Sequence, residues 1–139
     1  MDPEARRRAC VEFRAKLTRD TGTNLPAADC ARLLSCTFTV EGEEITLQSD
    51  PGLFYTQLGW AITDLALARV IPDHMKVSWF CYREAAEVHK HPEGMDRLAG
   101  CYFVGDGVRQ DTAQAVVWYE KAAELGDAGS QSLPWRVPC

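Results

Sequence analysis

The chain has 139 residues and a net charge of −5, enough for one domain with a core of its own. Hydrophobic residues make up 46% and charged residues 25%, which excludes a disordered or collagen-like chain. The acidic balance excludes a nucleic-acid surface spread over the whole chain, because such a surface reads as a basic face.

The N-terminus, "MDPEARRRACVEFRAKL", lacks the apolar run of a secretory signal. Asp2-Pro3-Glu4 predicts a helix start: a capping carboxylate, a proline in the first turn, and an acid at the positive end of the dipole. Cys10, Phe13 and Leu17 mark its apolar face. Arg6-Arg7-Arg8 is the only local basic run, and Asp2, Glu4 and Glu12 surround it, so it reads as a solvated face. "RDTGTN" ends the helix, and "LPAADCARLLSC" predicts a second, short one with Pro26 at its start. At Thr37 the pattern turns β-branched and alternating. "TFTV" and "EITLQ", separated by "EGE", predict a hairpin that turns at Gly42. "SDPG" restarts a helix with Asp50 as cap and Pro51 at its first position. The most apolar stretch, Pro51 to Val70, carries Gln57, Gly59, Asp64 and Arg69, which suits a buried helix rather than a membrane span. Pro72-Asp73 punctuates, and helical patterns with glycine turns follow. Residues 1–50 thus read as a helix-plus-hairpin segment, 51–133 as helical, and 134–139 as an irregular tail. No low-complexity linker separates the first two, so they are expected to touch.

An internal repeat organises the helical part. "CYREAAE" (81–87) aligns with "WYEKAAE" (118–124) at an offset of 37 residues, pairing Tyr82 with Tyr119, Ala85 with Ala122, Ala86 with Ala123 and Glu87 with Glu124. That period lies in the range of helix–turn–helix solenoid units. Met95, Leu98, Ala99 and Tyr102 stand at i, i+3, i+4 and i+7, as do Ala115, Trp118, Tyr119 and Ala122, so each set forms one helical stripe. Two such helices joined by a few residues pack antiparallel. Between them, Gly105 supplies the left-handed residue past the first helix, and Gly107 a second unusual conformation in the same turn. Val108 can tuck beneath the turn, Asp111 can cap the next helix, and Gly126 ends it.

With these residues in view, "LAGCYFVGDGVRQDTAQAVVWYEKAAELGDAGSQ" resembles a Sel1-like repeat, a relative of the tetratricopeptide repeat. Leu98, Tyr102, Gly105, Gly107, Val108 and Asp111 match the first half of the family pattern. Ala115, Trp118, Tyr119, Lys121, Ala122, Ala123, Glu124 and Gly126 match the second. Residues 93–126 resemble one whole repeat and 73–91 the second helix of an earlier one, with "HPEG" as the junction. Leu58-Gly59 could mark the earlier first helix, and "DAGSQSL" (127–133) the opening of a next repeat. The family's alanine and glycine in the first helix are Gly94 and Ala99 here, which suggests looser packing. Some family members staple helices with disulfides; alanines stand at 85–86 and 122–123, so no staple is expected. The fold class implied is mainly α: antiparallel helix–turn–helix repeats in a TPR-like superhelix, with the small N-terminal part appended.

The chemistry-bearing residues give weaker patterns. Gly105-x-Gly107 lacks the preceding strand and the further motif of a phosphate loop, so it reads as a helix–helix turn. His89-Lys90-His91 with Cys81, and Cys30 with Cys36, lack paired zinc spacings, so no metal or cofactor is expected. No G-x-S-x-G or similar motif accompanies a serine or cysteine, and no catalytic residue is assigned. The six cysteines are expected reduced, which suits an intracellular protein, cytoplasmic or nuclear. The resemblance implies a scaffold or adaptor that binds a protein or peptide partner, without nucleic acid, membrane or catalysis. The alternatives are a small hydrolytic enzyme, for which His89 or His91 near Cys81 would serve, or a fragment of a larger adaptor, for example a ubiquitin-linked one.

Overall fold

The computed structural model describes residues 2–64, 71 and 73–126. Arg69, Val70, Pro72, the expected repeat stub at 127–133 and the tail at 134–139, with Cys139, lie outside the described residues. Helix α1 spans Pro3–Thr21. The Asp2 carboxylate accepts from the Ala5 N–H at 2.8 Å, and Gly22, at φ 73°, closes the other end. Phe13 and Leu17 are buried and Cys10 half-buried, while Arg6, Arg7 and Arg8 are exposed, as the helical spacing requires. Helix α2, Ala27–Leu34, follows Pro26 and buries Cys30, Leu33 and Leu34.

The hairpin forms, but shorter than expected. Strand β1 is Phe38–Val40 and β2 is Glu43–Ile45, antiparallel, with Phe38 opposite Ile45. Glu41 and Gly42 both take positive φ (52° and 83°), the conformation of the tightest hairpin turns. The expected strand through Gln48 stops at Ile45 because Thr46 and Ser49 bond each other's backbone. The Thr46 N–H donates to Ser49 Oγ at 2.9 Å, and the Ser49 N–H to Thr46 Oγ1 at 3.2 Å. Local hydroxyl bonds here outcompete the ladder.

Helices α3 (Pro51–Asp64) and α4 (His74–Arg83) form one packed pair; α5 (Pro92–Val104) and α6 (Thr112–Glu124) form the next. Asp50 caps α3 through the Leu53 N–H at 3.2 Å, and Phe54, Leu58 and Ile62 are fully buried along it. Beyond Arg83 the helix widens into a π-helical turn, Glu84–Val88. One hydrophobic cluster runs from Phe13 on α1 to Ala122 on α6. The N-terminal segment therefore touches the helical part, as expected. Phe13 meets Phe80 edge-on at 5.2 Å and Tyr55 at 6.2 Å, and Phe38 meets Phe54 at 5.6 Å. Lys16 pairs with Glu84 at 2.7 Å, and Asp20 with Arg83. Burying the Phe13, Phe54 and Phe80 rings is worth about 1.5–3 kcal/mol each. No described helix is long and apolar enough to cross a membrane.

The turn at 105–111 behaves as the residues dictate. Gly105 sits at φ 80°, and its N–H donates to the Cys101 carbonyl at 2.8 Å. Gly107 sits at φ 74° with its Cα against α4: a β-carbon there would stand 2.0 Å from the Met75 carbonyl oxygen. Glycine is thus required both for the backbone angle and for the close approach. Val108 is half-buried against the core, and Asp111 caps α6 through the Gln114 N–H at 3.2 Å. Gly126, at φ 92°, closes α6.

The expectation of looser packing at Gly94 is corrected. A β-carbon on Gly94 would lie 2.6 Å from the Ala85 β-carbon, and Ala99 is fully buried. Glycine lets α5 press on the preceding π-helical turn, so the departure from the family pattern tightens the contact.

Candidate functional site

Helix α3 carries its core stripe on Phe54, Leu58 and Ile62, which turns Gln57 and Trp60 to another face. On α5, Glu93, Arg97 and Gly100 stand a turn apart, and Asp96 lies beside them. These two faces border a continuous groove. One depression of about 270 Å3 is bounded by Trp60, Asp96, Arg97, Asp106 and Tyr119, over a floor that includes Met75 and Ser78. A second, of about 230 Å3, shares Trp60 and Arg97 and extends to Gln57 and Glu93. Trp60 retains 40% of its surface exposed at the junction of the two.

Gly59 shapes the floor. A β-carbon there would stand 2.6 Å from Tyr82 Cε1, so its absence lets the Tyr82 ring lie across α3. The Gly59 carbonyl accepts from Thr63 Oγ1 at 2.9 Å and from Ser78 Oγ at 2.8 Å. Burial pushes the Tyr82 hydroxyl up to about 12, so it stays protonated. Burial, and then Asp96, also raises the Tyr119 hydroxyl. The rim holds one guanidinium, Arg97, whose Nη2 lies 3.7 Å from Glu93, together with the carboxylates Asp96 and Asp106. Such a surface can grip an apolar side chain against an indole and meet cationic groups at its edge.

The residues singled out in the sequence divide among three roles. Leu98, Ala99, Ala115, Trp118, Ala122 and Ala123 are buried between α5 and α6, and Lys121 lies over the Trp118 ring at 4.5 Å. Tyr119 faces the groove. Tyr102 does not: its ring meets Trp79 of α4 edge-on at 6.5 Å. Cys81 is sealed in the core, where burial and then Glu84 push its thiol up, away from the reactive thiolate. The exposed His89 ring stacks on Tyr55 at 5.7 Å. His91 Nδ1 lies 3.3 Å from both the Gly94 N–H and Thr56 Oγ1, capping α5. Cys10, Cys30, Cys36, Cys81 and Cys101 are free thiols, and no group of three or more potential metal ligands occurs among the described residues.

Sequence reasoning passed over Trp60 and Arg97. The signal for Trp60 was present: a large aromatic off the stripe of Phe54, Leu58 and Ile62 must face outward. Arg97 gave no such signal, since its place in the groove depends on α3 lying beside α5.

Stacked helix pairs bordering a shared groove define the class of helix–turn–helix repeat proteins. Within it, the family model described as Sel1 repeat matches residues 92–127, a stretch that holds α5, the turn after it and α6. No curated protein and no solved structure matches the chain. Sel1 repeats are in general protein-interaction modules and typically non-catalytic.

Proposed function

We propose that the chain is an interaction adaptor that docks a segment of a partner protein in the groove between α3 and α5. The observation that carries this reading is Trp60: a half-exposed indole at the centre of a concave, polar-rimmed surface, the arrangement of an interface anchor. With three carboxylates to one guanidinium at the rim, the favoured segment presents an apolar side chain flanked by lysine or arginine. The groove binds and positions; the chain performs no chemistry of its own.

The test is affinity capture with the wild-type chain and with Trp60→Ala combined with Asp106→Lys, which sets a positive charge against the cationic flanks of the segment. Both positions are exposed enough for the fold to persist, which circular dichroism checks. A partner lost on the double substitution supports the reading. Equal capture by both chains rejects it.

A further inference from the structure

A second groove, on the opposite charge footing, lies between α1 and α2. It has a volume of about 330 Å3, and its walls carry Val11 and Pro3 from α1 and Ala27 and Ala31 from α2. Arg6, Arg7 and Arg14 surround this apolar floor. Val11 leaves 59% of its surface to solvent, an apolar side chain without cover. Arg14 is held in place by its Nε–H, which donates to the Leu25 carbonyl at 2.8 Å. Among the described residues, Arg6 and Arg7 enter no ion pair.

Of the acids around the Arg6-Arg7-Arg8 run in the sequence, none lines this groove; Asp2 instead caps α1 through the Ala5 N–H. Glu4 lines no part of this groove, and Glu12 borders a different depression beside Tyr55. The charged side chains that line this groove are thus three arginines and no carboxylate, on a chain whose net charge is −5. We propose that the α1/α2 groove docks a carboxylate-rich segment of a partner protein, which seats an apolar side chain on Val11 between the three arginines. A lipid surface fits less well: the apolar floor is recessed between two helices and carries no Trp, Phe or Leu, the residues that anchor interfacial helices. The site is independent of the α3/α5 groove, and its charge selects a partner of the opposite kind. An adaptor with two such faces can hold a basic and an acidic segment at once.

The test uses the full chain and an array of short synthetic peptides in which Asp/Glu and Leu/Phe positions vary, with matched peptides carrying Lys for each acid. Binding is read by fluorescence anisotropy, alongside sedimentation with vesicles of mixed phosphatidylserine and phosphatidylcholine. The expected result is saturable binding of acidic peptides with an apolar residue. Arg6→Glu with Arg7→Glu should weaken it about tenfold. Val11→Asp should also weaken it, while Trp60→Ala leaves it unchanged. Raising salt from about 0.1 to about 1 M, which shortens the screening length from about 10 to about 3 Å, should weaken it too. Four results overturn the proposal: no acidic peptide binds, lysine peptides bind equally, the arginine reversals have no effect, or the vesicles bind and the peptides do not.

Discussion

Helices α4 and α6 carry nearly the same letters toward their C-terminal ends and finish differently. "CYREAAE" runs from α4 into a π-helical turn at Glu84–Val88, whereas "WYEKAAE" stays α-helical to Glu124. Helix α4 is enclosed: α1 lies on one side, α5 presses on the π-helical turn through Gly94, and Val77 to Tyr82 are buried without a break. Helix α6 packs on α5 and leaves Val117 43% exposed. A shared motif thus specifies a helix whose small residues admit its neighbour. What the neighbours press against decides how much is buried and where the hydrogen-bond register shifts.

The largest expected effect comes from removing α6. A chain ending after Gly105 uncovers Leu98 and Ala99, both fully buried. It should lose its cooperative thermal transition; a sharp transition would show that the enclosed pair needs no shared core with α5 and α6. Next is Gly107→Ala. It meets both a left-handed backbone, costing about 1–2 kcal/mol, and the Met75 carbonyl oxygen at 2.0 Å. Urea unfolding should report a loss of about 2–4 kcal/mol. A loss below about 1 kcal/mol would mean that the turn does not bind α5 to α4.

A matched pair of glycines sharpens the contrast between the two helix pairs. Gly59→Ala drives a methyl into the Tyr82 ring, whereas Gly100→Ala finds only the Tyr119 hydroxyl at 3.5 Å. The first should destabilise by about 1–2 kcal/mol as overpacking exceeds the gain in helix propensity. The second should be neutral or stabilise by up to about 1 kcal/mol. Equal effects would erase the distinction between enclosed and outer pairs.

The smallest effect is electrostatic and tests how the N-terminal segment is tied to α4. Arg19, with Arg83, holds the Asp20 carboxyl down at about 2, against its own burial. A folded pKa below the unfolded one adds stability that is complete above the unfolded value and lost as pH falls through the folded one. The loss should run from about pH 5 down to about pH 2 and amount to roughly 1–2 kcal/mol. Arg83→Met should shrink this pH-dependent part. An unchanged acid profile in that variant would show that the Asp20–Arg83 pair does not hold α1 to α4.

The repeat was the most legible part of the sequence, because its residues act locally. Gly105, Gly107 and Asp111 must satisfy backbone angles and caps within one turn, and Leu98 with Trp118 reports the helical period. The hairpin turn was legible for the same reason, but its length was not, since Thr46 and Ser49 choose each other over the ladder. The tight seat of Gly94 was misread because the partner that demands it, Ala85, lies on another helix. The groove was the least legible. Tyr102 and Tyr119 share a stripe pattern, yet one faces Trp79 and the other the groove, and Trp60 joins Tyr119 there only through the packing of α3 on α4 and α5.

The groove's role is tested most directly by replacing Trp60 with a photo-crosslinking amino acid in the full chain, with the same replacement at Val117 on the outer face of α6 as the control. The account predicts a discrete crosslinked partner from position 60 and none from position 117, with the crosslink weakened when Asp106→Lys is added. Crosslinking of the same partner from both positions, or from 117 alone, would contradict it.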